Sequence, residues 1–522
     1  MRPMPLLDFA SQAPTLWYPD DRSERLTCRG YLYVEGRLRE GEALSTYLAS
    51  QLAALRVDQL PGWLRSLNGA FALIWQPEGQ PWALAAVDRM RSIPLFFHQH
   101  TLRDSVPLSH SDLDPAQADL FPYTGHTLGG ATLHRHWRQL QAGQYALFSA
   151  TQPPQIADYF SPAYPQRPEV QAQLWPTARE VFQRLVDTHA DRPLVVPLSG
   201  GYDSRFIAAM LRHLGHPQVI CYTYGRAEGF EAQISQQVAQ RLGFPWHFVA
   251  YDDALLQQYL QPAGRSYQRR AAAGASLAHE QDWMAVGELQ RRGVLPEDAV
   301  FLPGFGGDVL AGSWYPAQPL RSREEVISYL VQAEKFFSGP RIKHFDHPAA
   351  RRLIGAELGD LEIHGPASAY RALLYWGWRN RLTKFLVNAV RVYEDWGYAW
   401  RLPFFDRGWM DTWLALPDLH KPGKAAYLQM AHEQLFGPLD VTMPQPTWSN
   451  TGWRQTLKRM LPPALIDWLK AQIHDPNQLD TTNAQRLAEL FCLALDQSPR
   501  QARQHPLNYL MATYYLREIR DS

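Results

Sequence analysis

Residues 195–204 read VVPLSGGYDS, and this stretch is the strongest indication of the fold in the sequence. A short apolar run stops at a serine and two glycines, and the helix-forming sequence RFIAAMLRHLG follows at residues 205–215. The order of strand, tight turn and helix is typical of a βαβ unit, in which the turn lies at the carboxyl end of a parallel strand. Ligands of doubly wound sheets bind at these ends, so the turn is a candidate site.

The same alternation of apolar runs and amphipathic stretches continues on both sides of the turn. Because strands that alternate with helices form parallel sheets, residues 171–522 are predicted to be an α/β domain with a doubly wound parallel sheet and added helices. Strands are predicted at 194–198, 218–224, 246–251 and 299–304, and helices near 170–189, 204–214, 231–242 and 277–292. After Ser322 the pattern predicts mostly helix.

The first 155 residues have a different pattern, which predicts a β-rich layered domain. Short apolar or alternating runs bounded by Gly, Pro, Asp or Gln are YLYV, AFALIW, WALAAV, IPLFFH and QYALFS. A proline-rich stretch at 151–170 is interpreted as a linker or surface wrap, with the linker itself placed at 156–170. The chain is therefore expected to have two domains, 1–155 and 171–522.

Composition limits the classes of function that the chain can have. The 522 residues contain 51 Lys and Arg against 51 Asp and Glu, so no net field favours nucleic acid or an anionic membrane. The three cysteines lie far apart and form no CxxC pair, which fits a reducing cytoplasm and argues against structural zinc. The sequence shows neither a signal-peptide pattern nor a membrane-span-length apolar run, so a cytoplasmic protein is expected.

The residue types in the turn indicate a nucleotide. Gly200 and Gly201 allow a ligand close to the backbone, and the hydroxyls of Ser199 and Ser204 together with the helix N-terminus favour an anion. Neither a GxxxxGK[ST] nor a GxGxxG motif is present. Asp203 repels a bound phosphate unless a divalent cation bridges the two, so the turn predicts a nucleotide with Mg²⁺. The alternative is a glycine turn whose serine and aspartate cap the next helix.

A second glycine-rich loop, PGFGGDVLAGS at 303–313, follows the predicted strand AVFL and carries Asp308. Two such loops can face each other across the switch point of a doubly wound sheet and hold one metal ion between two carboxylates. The alternative for this loop is an ordinary βα turn in which Asp308 is only a helix cap.

These stretches carry a resemblance to a known family. SGGYDS resembles the pyrophosphate-binding SGGxDS loop of ATP pyrophosphatases, and GFGGDVLAGS resembles the GxGxDExxGGY stretch of the asparagine synthetase family. RLPFFDRGWMDTWLALP (401–417) is similar to that family's RxPFLD…LP segment. LNGAFALIW, VDRMRSIPLFF and LQAGQYALFS, in the first half, resemble its glutaminase-like, Ntn-type domain.

The resemblance implies an activity and a set of site residues. Enzymes of this family adenylate a carboxylate with ATP, release pyrophosphate and let an amine attack the acyl-adenylate. Asp203 and Asp308 are then Mg²⁺ ligands, and Lys424, with Lys421 as its alternative, is the catalytic lysine that offsets charge in the transition state. The alternative is that Lys424 is an ordinary solvent-exposed lysine without a catalytic role. The implied ATP and pyrophosphate ligands are Leu198, Ser199, Gly200, Gly201, Asp203, Ser204, Tyr224, Gly306 and Gly307.

One departure from the family concerns the amine donor. Glutamine-hydrolysing members have a cysteine directly after the initiator methionine, whereas this sequence has Arg2 there, and Cys28 is expected to be a small core residue. The first domain is therefore expected to lack glutaminase activity. Free ammonia, ammonia from a separate glutaminase and an amine within the substrate all remain open, the last as in a β-lactam synthetase or a lasso-peptide cyclase.

A second departure concerns the substrate. Asparagine synthetases usually carry glutamate at the positions of Phe305, Val309 and Ala399, which argues against aspartate as the substrate. The stretch RVYEDWGYAWRLPFFD (391–406) resembles a branch associated with bacterial surface polysaccharides, whose members are thought to amidate sugar uronic acids, and there Glu394 is implied as a catalytic carboxylate. Authentic asparagine synthesis and a non-catalytic scaffold are the alternatives. For Glu394 the alternative is an ion pair with Arg391 or Arg379.

Overall fold

The computed structural model describes residues 7–19, 25–335, 345–443, 480–503 and 505–521. Sheets of mostly antiparallel strands form the first part of the chain, and a parallel sheet with helices forms the second, so the predicted fold class is confirmed. The strands before residue 160 are β1 (Asp8–Ala10), β2 (Tyr18–Pro19), β3 (Leu26–Val34), β4 (Arg37–Glu40), β5 (Gly69–Trp75), β6 (Trp82–Val87), β7 (Phe96–His98), β8 (Thr101–Arg103), β9 (Arg138–Gln139), β10 (Gln144–Ser149) and β11 (Gln152–Asp158).

The N-terminal strands form two sheets that share one core. The larger sheet has the order β11-β10-β6-β5-β3-β2, with β4 paired to β3, and the smaller has the order β1-β8-β7-β9. Side chains of a strand alternate between its two faces, and in β5 both faces are apolar. Phe71 and Leu73 pack into the main core, whereas Ala72 and Ile74 pack into the cluster that includes residues of the smaller sheet. This double burial explains why β5 is an almost continuous apolar run.

The second part is built on a five-stranded parallel sheet. Its strands are β12 (Leu194–Pro197), β13 (Val219–Gly225), β14 (Trp246–Ala250), β15 (Val300–Phe301) and β16 (Ala399–Trp400). They are arranged in the order β14-β13-β12-β15-β16, and every neighbouring pair is parallel. The chain builds outward from β12 to β14 on one side and then continues on the other side with β15. The switch point, where ligands of such sheets bind, therefore lies between β12 and β15.

Eighteen α-helices are described, and several of those after β12 pack against the parallel sheet. They are α1 (Glu42–Leu52), α2 (Leu60–Ser66), α3 (Pro115–Thr124), α4 (Leu174–Thr188), α5 (Tyr202–His213), α6 (Phe230–Leu242), α7 (Asp253–Gln258), α8 (Pro262–Ala272), α9 (Gln281–Arg291), α10 (Gly307–Ala311), α11 (Arg323–Glu334), α12 (Pro348–Leu358), α13 (Pro366–Gly377), α14 (Arg391–Asp395), α15 (Arg407–Ala415), α16 (Ala425–Ala431), α17 (Ala484–Ala494) and α18 (Leu507–Asp521). Two π-helices, Trp378–Leu386 and His432–Phe436, directly extend α13 and α16.

The structure corrects the sequence interpretation at the proline-rich stretch. Gln152–Asp158 is not linker but strand β11, which pairs antiparallel with β10 at the end of the larger sheet. The edge position of β11 explains why Pro153 and Pro154 are tolerated. A proline has no backbone N–H, and on an edge strand there is no strand on the outer side to which that N–H would donate. The predicted strand IPLFFH is also shorter than expected, since only Phe96–His98 is strand.

Candidate active site

The turn after β12 is held by its own serines. The backbone N–H of Ser199 donates to Ser204 Oγ at 3.1 Å, and the N–H of Gly201 donates to Ser199 Oγ at 3.1 Å. The two hydroxyl oxygens are themselves 3.1 Å apart. Leu198 is fully buried below them, and helix α5 begins directly after Gly201. The turn therefore presents backbone and hydroxyl groups at the start of a helix, where an anion is favoured.

Arg205, which the sequence interpretation did not select, braces this turn from below. Its guanidinium is fully buried and donates to the carbonyl oxygen of Gly200 at 3.1 Å and to those of Val441 and Met443 at 3.2 and 3.0 Å. The sequence signal was a charged residue on the buried face of an otherwise apolar helix, directly after the SGGYDS motif. Because the Arg205 side chain donates hydrogen bonds to three carbonyl groups, it fixes the turn relative to the chain around residue 442.

The second glycine loop follows β15 and leads into α10. Gly306 has φ +86°, a conformation that side chains rarely adopt, and a Cβ there would lie 2.1 Å from a ring carbon of Phe405. Asp308 is in the first turn of α10. The predicted placement of a short loop and an acidic residue at the end of this strand is therefore found in the structure.

The two loops are in direct contact. The backbone N–H of Asp308 donates to Asp203 Oδ2 at 2.9 Å. The glycines of the second loop permit this approach, since a Cβ on Gly307 would lie 2.8 Å from Asp203 Cγ and one on Gly304 would lie 2.8 Å from the Ser204 nitrogen. The structure thus brings the Asp203 carboxylate against the backbone of Asp308 at the switch point between β12 and β15.

The surroundings of Asp203 disfavour the ionised form of its carboxyl group. Burial, followed by the charge of Asp308, raises the pKa of Asp203 to about 7. The N–H of Asp308 and the ammonium of Lys424 act in the opposite direction but do not cancel the rise. Tyr427 also lies beside Asp203, and burial together with that carboxylate raises the pKa of its hydroxyl.

The donor set fits Mg²⁺. Both side chains offer carboxylate oxygens, the ligands that Mg²⁺ prefers, and Mg²⁺ is usually held by one or two carboxylates plus substrate phosphates. Among the described residues no group of three or more His, Cys, Asp and Glu side chains could hold a metal ion. A nucleotide would therefore have to supply much of the coordination at Asp203 and Asp308.

The structure separates the two candidate lysines. Lys424 adopts φ +61° at the start of α16, and its Nζ lies 5.9 Å from the ring centre of Tyr202, in the glycine turn. Lys421 is buried, and its Nζ lies 3.8 Å from Asp418 Oδ1. Lys424, whose charge lowers the pKa of Asp203, is therefore the lysine beside the paired carboxylates.

Tyr224 lies near the end of β13, the strand next to β12. Its ring stacks on that of Tyr251 with 5.1 Å between the ring centres and 9° between the planes. At the end of the same strand Gly225 has φ +113°, and a Cβ there would lie 2.1 Å from the carbonyl oxygen of Thr481. A role for Tyr224 in ATP binding remains a prediction.

Glu394 lies in an ion-pair cluster. Its carboxylate is 2.6 Å from Arg391 and 2.6 Å from Arg29, which belongs to β3 of the N-terminal sheet, and it accepts the indole N–H of Trp400 at 3.0 Å. The alternative pairing with Arg391 is thus present, while Arg379 pairs with Asp158 and Glu357 instead. The arginines lower the pKa of Glu394. A catalytic role for this residue remains a prediction.

All three cysteines are buried and unbridged. Cys28 lies in β3, fully buried, as expected for a small core residue, and its Sγ is 3.7 Å from the carbonyl oxygen of Tyr18. The position of Arg2 lies outside the described residues. No helix in the described parts of the chain is long and apolar enough to cross a membrane.

Comparison with known proteins agrees with this geometry. A family model described as asparagine synthase matches residues 177–521, well over half of the 522-residue chain. The matched region contains β12 to β16, the glycine turn and both carboxylates. A search of curated proteins found no match.

Proposed function

The chain belongs to the asparagine synthase family and is an ATP-dependent amide-forming ligase; we propose that it adenylates a substrate carboxylate and then transfers the acyl group to an amine. The observation that supports this most strongly is the contact between Asp203 and Asp308 at the switch point of the sheet. Two acidic side chains beside an anion-binding turn would repel a nucleotide by themselves, but they can bind it when Mg²⁺ bridges the carboxylates and the phosphates.

ATP binds with its phosphates on the turn formed by residues 199–204. The hydroxyls of Ser199 and Ser204, which bond within the turn, reorient toward phosphate oxygens, and the N-terminus of α5 adds its dipole. Asp203 and Asp308 would hold Mg²⁺, which offsets the negative charge that builds on the departing pyrophosphate. Arg205 keeps the turn in place through the Gly200 carbonyl.

The chemistry consists of two displacements. A carboxylate oxygen of the substrate attacks the α-phosphorus, the bond to the bridging oxygen of the β-phosphate breaks, and pyrophosphate leaves. The nitrogen of the amine then attacks the acyl carbon and loses a proton, and AMP leaves with the electron pair of the carbon–oxygen bond. Lys424, beside Asp203 and Tyr202, donates to oxygens on which charge develops in these steps.

The carboxylate that we propose is that of a sugar uronic acid, and the amine is ammonia supplied from outside the N-terminal domain. The buried state of Cys28, Cys221 and Cys492 supports an external source, because none of these thiols is open to glutamine. The apolar side chains of Phe305 and Val309, in place of the glutamates usual in asparagine synthetases, support a substrate other than aspartate.

A pyrophosphate-release assay tests this function. Glucuronate, galacturonate and aspartate are each supplied with ATP, Mg²⁺ and ammonia, and the product is identified by mass. Wild-type protein is expected to release pyrophosphate with a uronate and to replace one carboxyl hydroxyl by an amino group, whereas Asp203→Asn and Asp308→Asn are expected to release none. Loss of one water from a single substrate would instead identify an intramolecular cyclase, and full activity of either variant would contradict the metal site.

A further inference from the structure

A second group of polar side chains lies against the C-terminal end of α10, the helix that carries Asp308. It consists of Tyr315, Tyr370, Asp418 and Lys421, called here the Asp418 cluster. Lys421 Nζ lies 3.8 Å from Asp418 Oδ1 and 5.3 Å from the ring centre of Tyr370, whose ring centre is 4.8 Å from that of Tyr315. Tyr370 and Lys421 are 1% and 3% exposed.

Two polar atoms of this cluster are buried without a hydrogen-bond partner among the described residues. They are the hydroxyl oxygen of Tyr370 and Oδ2 of Asp418. Burial, followed by the charge of Asp418, raises the pKa of both Tyr315 and Tyr370. A buried polar atom without a partner costs free energy, so two on one cluster indicate that a group from outside the chain completes it.

The cluster adjoins the helix that carries Asp308. Gly312 ends α10 with φ +109°, and a Cβ there would lie 2.5 Å from the carbonyl oxygen of Lys421. The backbone N–H of Lys424 donates to the carbonyl oxygen of Lys421 at 2.8 Å, so the two lysines belong to one tight turn. A substrate whose carboxylate lies between Asp308 and Lys424 is therefore expected to extend its remaining atoms toward the Asp418 cluster.

The charges of the cluster select the chemistry of that group. Lys421 and Asp418 offset each other, so an incoming carboxylate meets repulsion from Asp418 and an incoming ammonium meets repulsion from Lys421. A hydroxyl avoids both, because it can donate to Asp418 Oδ2 and accept from Tyr370 or Lys421. The faces of Tyr315 and Tyr370 offer apolar surface for carbon atoms beside that hydroxyl.

We propose that the Asp418 cluster is a subsite that binds a hydroxyl group on the non-reacting part of the carboxylate substrate. This inference rests on the proposed function, because it assumes that a carboxylate is activated between Asp308 and Lys424. It adds that recognition depends on hydroxyl groups away from the reacting carboxyl group, and it assigns that recognition to Tyr370 and Asp418.

The test compares ligands that differ only in hydroxyl groups. Glucuronate and cyclohexanecarboxylate share a six-membered ring and a carboxylate, and binding is measured by thermal shift and by KM in pyrophosphate release. Wild-type protein is expected to prefer glucuronate by at least tenfold, since a site that bonds a hydroxyl rejects analogues without it. Tyr370→Phe and Asp418→Asn should each reduce that preference about fivefold, with KM for ATP changed less than about twofold.

Tyr329→Phe is the matched control, because Tyr329 is 41% exposed and lies outside the cluster. Tyr370→Phe should fold with an unchanged or higher Tm, since it removes an unpartnered hydroxyl. An unchanged preference in Tyr370→Phe, or equal thermal shifts of wild-type protein with both acids, overturns the subsite. Absence of pyrophosphate release with every acid contradicts the proposed function instead, and the thermal shifts still decide the subsite.

Discussion

At the scale of single residues, Asp203 is a buried carboxyl group whose surroundings oppose its charge. Burial and the charge of Asp308 raise the pKa of Asp203 to about 7, so the ionised form is disfavoured in the folded protein without a ligand. A pKa perturbed in this way is typical of functional sites, including sites that bind a cation. The sequence motif predicted both carboxylates, because each directly follows a strand end with glycines around it. It could not predict Arg205, Tyr370 or Asp418, since their roles depend on contacts between distant parts of the chain.

Replacement of Lys424 tests its assignment as the catalytic lysine. Lys424→Met is expected to lower kcat about a hundredfold or more while KM for ATP changes less than about threefold, because its charge acts on groups that become more negative during the reaction. Lys421→Met, three residues away, is the matched control and is expected to act mainly on KM for the carboxylate. Steady-state pyrophosphate release measures both. A normal kcat in Lys424→Met would assign the role elsewhere.

His189 makes folding stability depend on pH. The ring is 1% exposed, its Nε2 accepts from Arg401 Nε at 3.1 Å, and burial followed by the charge of Arg401 lowers its pKa to about 3. Because the unfolded state takes up a proton near pH 6.5 and the folded state does not, the contribution of His189 is complete above that pH and is lost as the pH falls toward 3.

The measurement is Tm between about pH 7 and pH 5, where one such histidine changes the unfolding free energy by up to about 1.4 kcal/mol per pH unit. His189→Gln is expected to flatten this dependence, because glutamine does not titrate. His364→Gln is the control, since the side chain of His364 is 79% exposed. Parallel pH curves for wild-type protein and His189→Gln would contradict the assignment.

At the scale of elements, strands with largely apolar runs were predictable, whereas β16 and β11 were not. WALAAV and QYALFS coincide with β6 and β10, because largely apolar runs bounded by turn residues define them. Strand β16 is only two residues long and pairs with β15 far earlier in the chain, so no local pattern marks it. The same limit explains β11, whose prolines suggested a linker although an edge position tolerates them.

The second glycine loop gives an element-scale prediction. Gly306→Ala is expected to destabilise the protein by about 2–4 kcal/mol and to abolish pyrophosphate release, because the new methyl group both requires an unusual backbone conformation and collides with Phe405. Gly293→Ala is a matched control, since Gly293 also has a positive φ of +69° but no atom within 4 Å of the added Cβ. Comparable Tm losses in the two variants would show that collision with Phe405 does not restrict this loop.

At the scale of the whole molecule, buried ion pairs join the N-terminal sheet to the α/β part. Arg29 of β3 and Arg391 of α14 share the carboxylate of Glu394. The side chains of Arg29, Arg391 and Glu394 are 8%, 10% and 15% exposed. Removal of one partner from a buried pair leaves uncompensated charge. The two halves therefore depend on each other for stability. The local spacing suggested the pair of Glu394 with Arg391, but nothing in the sequence pointed to Arg29, which lies in a distant strand.

Glu394→Gln separates a structural from a catalytic role for this carboxylate. We expect Tm to fall markedly, in line with a cost of about 3–5 kcal/mol, because the two arginines lose their shared partner. If the role of Glu394 is structural, kcat stays within about threefold of wild type. Glu288→Gln is the control, since Glu288 pairs with the more exposed Arg291 and Arg292 and such pairs contribute about 0–1 kcal/mol. An unchanged Tm with a large loss of kcat would identify Glu394 as catalytic instead.

We propose that Asp203 and Asp308 hold one magnesium ion against the phosphates of ATP. A crystal structure of the protein with a non-hydrolysable ATP analogue and Mg²⁺ tests this proposal. We expect phosphates on the turn at 199–204 and a metal ion within about 2.1 Å of a carboxylate oxygen from each aspartate. Phosphates bound anywhere else, or a bound analogue with no metal ion at either carboxylate, would contradict it.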